Sequence, residues 1–186
     1  PLRLVGSEMC IRDSPLRQRI TFTPDLPAEN RSFLQRSPMG SMIKVFAIYK
    51  NAFWRNNNLN GFGVGNLKTL ELTADSSLPD GSPGILASFV TASAAVAFQK
   101  KTSKEQRKAV LDDLITYWGP EAGAPEELII QNWNHEDWST GAFTSFVTPG
   151  AWTTYGQGWQ QSHGRVHWAG TEASSRWPGD FEGAIE

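Results

Sequence analysis

The chain has 186 residues, with 17 Lys and Arg against 19 Asp and Glu, a net charge of -2 and a pI near 6.0. That length holds one ordinary domain with its core, and that charge balance excludes the basic stripe of a nucleic-acid footprint. No stretch approaches the ~20 apolar residues of a membrane span, and a single cysteine, Cys10, excludes an intrachain disulfide framework.

Leu4 to Ser14, LVGSEMCIRDS, matches the translation of a transposon-type sequencing adapter. We therefore read residues 1–14 as a library scar, set them aside as one would a tag, and expect the gene to extend upstream. The missing leader then says nothing of location. Arg19 to Thr23, RITFT, alternates like a strand. Ala28 to Gln35 is a short helix ended by Ser37-Pro38. Met42 to Tyr49, MIKVFAIY, is nearly continuously apolar and predicts a strand buried on both faces. Gly61 to Gly65 has G-x-G-x-G spacing with Asn66 after it. This is not a dinucleotide loop, and it predicts a glycine-rich strand edge. Leu67 to Thr73 and Gly84 to Val90 read as strands, and Thr91 to Phe98 as a helix.

Ser103 to Trp118 is a helix with readable ends. Ser103 and Gln106 suggest a capping box, Val110, Leu111, Leu114, Ile115 and Trp118 make one apolar stripe, and Gly119-Pro120 stops it. Glu126 to Trp133 is a further strand. Strands interrupted by helices give an α/β class with a mixed layer. From Asn132 the chain turns aromatic and glycine-rich, and all of its eight Trp except Trp54 lie from Trp118 onward. His163 and His167 have the i, i+4 spacing of a helical metal pair, but Gly164 and the strand pattern between them break a helix, so no metal site is assigned. At the end, Arg165 to Trp168 reads as a buried strand. Ala169-Gly170 is a small-residue turn, Thr171 and Glu172 are acceptors at the strand end, and Phe181 to Glu186 starts a helix with Asp180 as N-cap. A strand end meeting a tight turn and a helix start is a ligand crevice in α/β folds, and that helix end favours an anion.

The run WAGTEASSRWPGDFEGAI resembles the C-terminal flavin motif of the flavin-containing amine oxidases, which include monoamine, putrescine, polyamine and L-amino-acid oxidases. Two further blocks match in order. One is Arg19 to Pro27, Pro38 to Val45 and Phe53 to Arg55. The other is Trp133, Ser139, Gly141, Phe143, Pro149-Gly150 and Tyr155-Gly156. The resemblance covers residues 15–186. It implies a fragment of a larger flavoenzyme, with a substrate-domain portion at 15–137, a mixed sheet with packed helices, and at 138–186 the closing strand–turn–helix piece of a Rossmann-like FAD domain.

The resemblance also implies the chemistry: oxidation of a small-molecule amine by hydride transfer to FAD, with O2 reoxidising the flavin and giving H2O2. By the same resemblance Glu172 accepts hydrogen bonds from the cofactor, Gly170 and Thr171 approach it by backbone, and the Phe181 N–H faces the pyrimidine end of its ring. Trp133 packs beside the ring and Trp152 lines the cofactor. Ala142 stands where some members attach the flavin through Cys, which implies non-covalent FAD. Phe143 fills one of two aromatic places facing the flavin. Asp180 fills the other, where Tyr is frequent, as a helix cap or as a partner for a substrate cation. Arg19 stands where many members carry a Lys that holds a water at the ring, a tunable role that Arg cannot take. A homodimer of the full-length protein is a further expectation. The chain alone, lacking a glycine-rich pyrophosphate motif, is expected to be inactive. Rival readings are an L-amino-acid oxidase or demethylase-like relative, with Arg55 or Arg176 aimed at a carboxylate, a non-catalytic scaffold, and an aromatic binding module using Trp138, Trp152 and Trp159.

Overall fold

The computed structural model describes residues 13–142 and 145–185. The described chain falls into two compact units: Ser41–Asn134, and a second built from the chain up to Gly40 together with the chain from His135. This division differs from the sequence-based boundary at 137/138, because residues 15–40 belong with the C-terminal segment.

Ser41–Asn134 is a sheet covered by helices, in the α/β class expected. Its strands are β1 (Met42–Tyr49), β2 (Gly63–Val64), β3 (Leu72–Asp75), β4 (Gly84–Thr91) and β5 (Glu127–Asn132), in the order β2-β3-β4-β1-β5. All four pairings are antiparallel, a detail that periodicity could not supply. Gly63–Val64 forms the sheet edge, as its glycines suggested. β1 is not buried on both faces. Ile43, Val45, Ala47 and Tyr49 are buried, while the residues between them are half-buried, so the strand has one core face.

Two helices cover that core face: α3 (Ala92–Phe98) and α4 (Ser103–Trp118). α4 begins one residue from the expected cap. Thr102 Oγ1 accepts from the Glu105 N–H, and the Glu105 carboxylate accepts from the Thr102 N–H at 2.8 Å, a capping box shifted by one place. Val110 and Leu114 are fully buried, but Ile115, the fourth member of the expected stripe, is exposed. β3 also starts late, at Leu72 rather than Leu67. The Asp113 carboxylate on α4 accepts the N–H groups of Thr69 and Leu70, both at 2.8 Å, and so takes the donors that a longer ladder would use. Trp54, with no exposed surface, centres the core, and its indole donates to Asp75 at 2.9 Å.

The other unit holds α1 (Asp13–Arg19), α2 (Ala28–Gln35), α5 (Ala151–Tyr155) and α6 (Phe181–Ile185). The strand expected over 19–23 is absent: Arg19 ends α1, and Ile20 to Thr23 is irregular. Arg17 fixes this arrangement. It is only 4% exposed, its guanidinium donates to the Trp159 carbonyl at 3.0 Å, and it lies over the Trp168 ring at 3.7 Å. The strand expected over 165–168 is absent too. A strand needs a neighbour for its donors and acceptors, and the described residues supply only the turn's own His163–Val166 bridge. α2 matches its expected bounds. Its Asn30, the acceptor of a glycosylation sequon by pattern, is buried and donates to the Gly158 carbonyl.

Candidate functional site

The second unit draws two distant sequence blocks together. The Ala142 N–H donates to the Gly40 carbonyl at 3.0 Å, the Phe146 N–H to the Pro38 carbonyl at 2.7 Å, and the Thr148 N–H to the Arg36 carbonyl at 3.0 Å. Glycine is required where they cross. A Cβ on Gly40 would meet the Ala142 carbonyl at 2.6 Å, and one on Gly141 would meet the Gly40 carbonyl at 2.4 Å. PMGS and STGA therefore form one backbone contact about a hundred residues apart in sequence, with Ala142 buried in it.

The GTEASSRWPGDF run forms the second half. Gly170 has φ 119°, a conformation only glycine takes without strain, and a 3₁₀ turn over Thr171–Ala173 follows. Thr171 is buried. Its hydroxyl accepts from the Gly179 N–H at 2.8 Å and donates to the Asp180 carbonyl at 2.6 Å. Thr171 thus ties the 3₁₀ turn to the start of α6. Ser174 Oγ accepts from the Trp177 N–H at 2.9 Å and closes the same turn. A Cβ on Gly183 would meet the Trp177 carbonyl at 2.0 Å, so α6 packs directly on this turn.

Beside it is a pocket of about 300 Å³, lined by Phe33, Trp152, Trp159, Glu172, Pro178 and Gly179 among others. Glu172 is 9% exposed, and its carbonyl accepts the Trp159 indole N–H at 2.6 Å. Trp159 and Trp152 both pack on the Phe33 ring, with centroids 4.9 and 5.5 Å away. Trp152 is 57% exposed, an open aromatic wall. A buried carboxylate, aromatic faces and a glycine-lined backbone form a donor and acceptor set suited to a ring cofactor with hydroxyl groups.

The structure gathers Glu172, Gly170, Thr171 and Trp152 into this unit, with Asp180 and Phe181 at its turn. Asp180 differs from the expected cap: among the described residues its carboxylate accepts no hydrogen bond and joins no ion pair. Phe181 is exposed at the first position of α6. Arg19 is exposed at the end of α1, 5.7 Å over the Trp138 ring. Trp133 belongs to the other unit, half-buried in a 3₁₀ turn after β5. Phe143 lies outside the described residues.

Two groups escaped sequence reasoning. One is Arg17, next to the stretch set aside. The other is Lys44 on β1, whose ammonium sits 4.8 Å from the Phe46 ring and 5.5 Å from Phe89, with no carboxylate partner among the described residues. The signal was a lone cation inside MIKVFAIY. Arg55, one rival carboxylate clamp, is already engaged. It donates to Asp75 at 2.8 Å and to the Leu78 and Pro79 carbonyls at 3.1 Å. The aromatic-module trio also dissolves, because Trp159 lies in a core while Trp138 and Trp152 are exposed. Among the described residues no group of three His, Cys, Asp or Glu could hold a metal. His163 bonds the Pro24 carbonyl and His167 the Ser162 hydroxyl. No helix of the described residues is long and apolar enough to cross a membrane.

The sequence model of the flavin-containing amine oxidoreductases matches residues 11–186. The chain belongs to that family. An L-amino acid dehydrogenase of Synechocystis is 42% identical over 170 residues, 91% of this chain and 36% of that protein. A probable flavin-containing monoamine oxidase A of Dictyostelium discoideum is 34% identical over 92% of this chain and 38% of its own length. Among solved structures, cyclohexylamine oxidase from Brevibacterium oxydans superposes with a TM-score of 0.87 at 28% identity, covering 94% of this chain and 39% of that one. A putrescine oxidase bound to putrescine gives 0.86 at 27% identity, over 92% of this chain and 38% of that one. The chain therefore spans between a third and two-fifths of these relatives. The amine oxidoreductase family carries a flavin, and the pocket's buried carboxylate, open tryptophan and close backbone approach suit one.

Proposed function

We propose that this chain is part of an FAD-dependent amine oxidase, holding the substrate-side sheet and one wall of the cofactor site. The observation that carries the proposal is the turn at 170–183, where Thr171, Glu172 and the start of α6 are tied together beside an aromatic pocket. A bound flavin supplies the hydride acceptor that turns the amine into an imine, which water hydrolyses, while O2 takes the electrons to give H2O2. Glu172, buried at the pocket, accepts hydrogen bonds from cofactor hydroxyls. Gly170 admits the backbone closely, and the Phe181 N–H offers a donor where negative charge develops. Trp152 supplies a ring face. Ala142 has no thiol and its position is closed by Gly40, so FAD is held without a covalent bond.

Asp180 faces the substrate in this reading; Phe143 lies outside the described residues. Arg19, exposed at the end of α1, stands at the family's lysine position and cannot take that lysine's tunable role. The exposed Trp152, Phe146, Phe181 and Ile185 are surfaces that the rest of such an enzyme covers, so the 186-residue chain alone should neither hold FAD stoichiometrically nor turn over.

The visible spectrum decides. The complete reading frame should purify with, or take up, one FAD and show its bands bleaching when an amine is added. The 186-residue chain should not. A flavin band on the short chain that amine bleaches would overturn the incomplete-site proposal, and a full-length protein that no amine reduces would overturn the oxidase. The 42% relative is named a dehydrogenase, so peroxide release measured against dye reduction separates O2 from another electron acceptor.

A further inference from the structure

The chain between Trp159 and Gly170 carries no regular ladder: among the described residues its β-pairing is the His163–Val166 bridge alone. Side chains must therefore set its shape. Trp159 does so at one end, donating its indole N–H to the Glu172 carbonyl at 2.6 Å. The Gln160 amide donates to the Ala173 carbonyl at 2.8 Å, and the Trp168 indole closes the loop on the Gln161 carbonyl at 2.8 Å. Arg17, on α1, holds both tryptophans. Its guanidinium donates to the Trp159 carbonyl at 3.0 Å, and the guanidinium carbon lies 4.6 Å from the Trp159 ring centre and 3.7 Å from that of Trp168. Only 4% of the residue is exposed. Burying an always-charged group is costly unless it is well partnered. A guanidinium meets that demand here because it offers in-plane N–H donors to a carbonyl and a flat face to rings at once, which an ammonium cannot combine. Trp159 and Glu172 both line the pocket of about 300 Å³, and Arg17 stands behind that wall without lining it.

We propose that Arg17 is a positioning residue for cofactor binding: it fixes Trp159, Trp159 fixes Glu172, and the affinity for FAD depends on that relay. This rests on the reading of Glu172 as part of the cofactor wall. Arg17 does not line the pocket, so its effect appears in how tightly FAD is held.

The test titrates FAD into the full-length apoprotein and follows flavin fluorescence. Arg17→Met keeps the apolar stem but loses the donor and the charge, and should raise the FAD Kd about tenfold or more. Arg17→Lys, which keeps a cation over the rings, should recover part of that loss. A residue that only stabilised the fold would weaken binding independently of Glu172. A relay through Glu172 is coupled instead: Glu172→Gln should raise the Kd by itself, and adding Arg17→Met should then raise it by less than about threefold more. Should Arg17→Met fail to fold, the same cycle with Arg17→Lys decides. A Kd unmoved by the Arg17 substitution, or effects that multiply in the double variant, overturns the proposal while leaving the cofactor wall standing. A Kd unmoved by Glu172→Gln overturns both, as does a full-length protein that takes up no FAD.

Discussion

Among the described residues, Ser41–Asn134 buries a single cluster of fifteen core residues, from Ile43 to Ala122, between a sheet and two helices. The unit made of the two flanking segments has a cluster of four: Leu26, Phe33, Leu34 and Trp159. It makes up the difference with polar ties. Arg17 reaches the Trp159 carbonyl, Asn30 the Gly158 carbonyl, Trp159 the Glu172 carbonyl and Thr171 the Asp180 carbonyl. Apolar burial scales with area and is non-directional, so the first unit tolerates imprecision. Hydrogen bonds to buried carbonyls demand geometry, and leaving one unmade costs ~1–3 kcal/mol. The unit that carries the candidate cofactor wall is therefore the one whose shape depends on specific polar pairs.

The largest expected break of this contrast is Trp54→Ala. Removing the fully buried indole and its bond to Asp75 should cost ~3–5 kcal/mol, read as a lower urea midpoint of Ser41–Asn134, with the turn at 170–183 unaffected in hydrogen exchange. Trp159→Phe is the counterpart. It keeps the ring on Phe33 but strands the Glu172 carbonyl, a loss of ~1–3 kcal/mol, and amide exchange should quicken around Glu172 and not in β1. Thr102→Ala removes the observed cap of α4 and should cost ~1 kcal/mol. Ser103→Ala should cost less, and equal losses would mean the box lies where the sequence suggested.

Asp75 links the stability of Ser41–Asn134 to pH. Burial alone would raise its pKa, but the Arg55, Ser77 and Trp54 hydrogen bonds outweigh burial and lower it from 3.8 to about 2. A carboxylate depressed on folding contributes stability that is present above its unfolded pKa and lost as pH falls through the folded one. Ser41–Asn134 should therefore weaken between pH 4 and 2, and Asp75→Asn should flatten that slope, as urea midpoints across that range will show.

Much of this was legible from local pattern. The helices at Ala28–Gln35 and Ser103–Trp118 appear at their expected bounds, because periodicity and stop signals act within a few residues. The strands at 42–49 and 84–91 were legible for the same reason, since a run of apolar residues bounded by turns needs no knowledge of its neighbour. What failed was whatever depended on a partner. RITFT and RVHW have strand patterns, yet neither finds an adjacent strand among the described residues. β3 was shortened by a carboxylate forty residues away on α4.

The sequence by itself determined the family, because the three ordered blocks are covalent facts that no packing can alter. It also determined the α/β class and the absence of a thiol at position 142. Only the tertiary structure decided what each polar group is free to do. Arg55 looked available and is held by Asp75. Arg17, next to the stretch set aside, carried no signal and lies over two tryptophan rings. Asp180 looked like a helix cap and caps nothing among the described residues. The reason is physical. A side chain's chemistry follows from its residue type, but whether its charge is already neutralised depends on what lies within about 3 Å, and that is fixed only when distant segments pack.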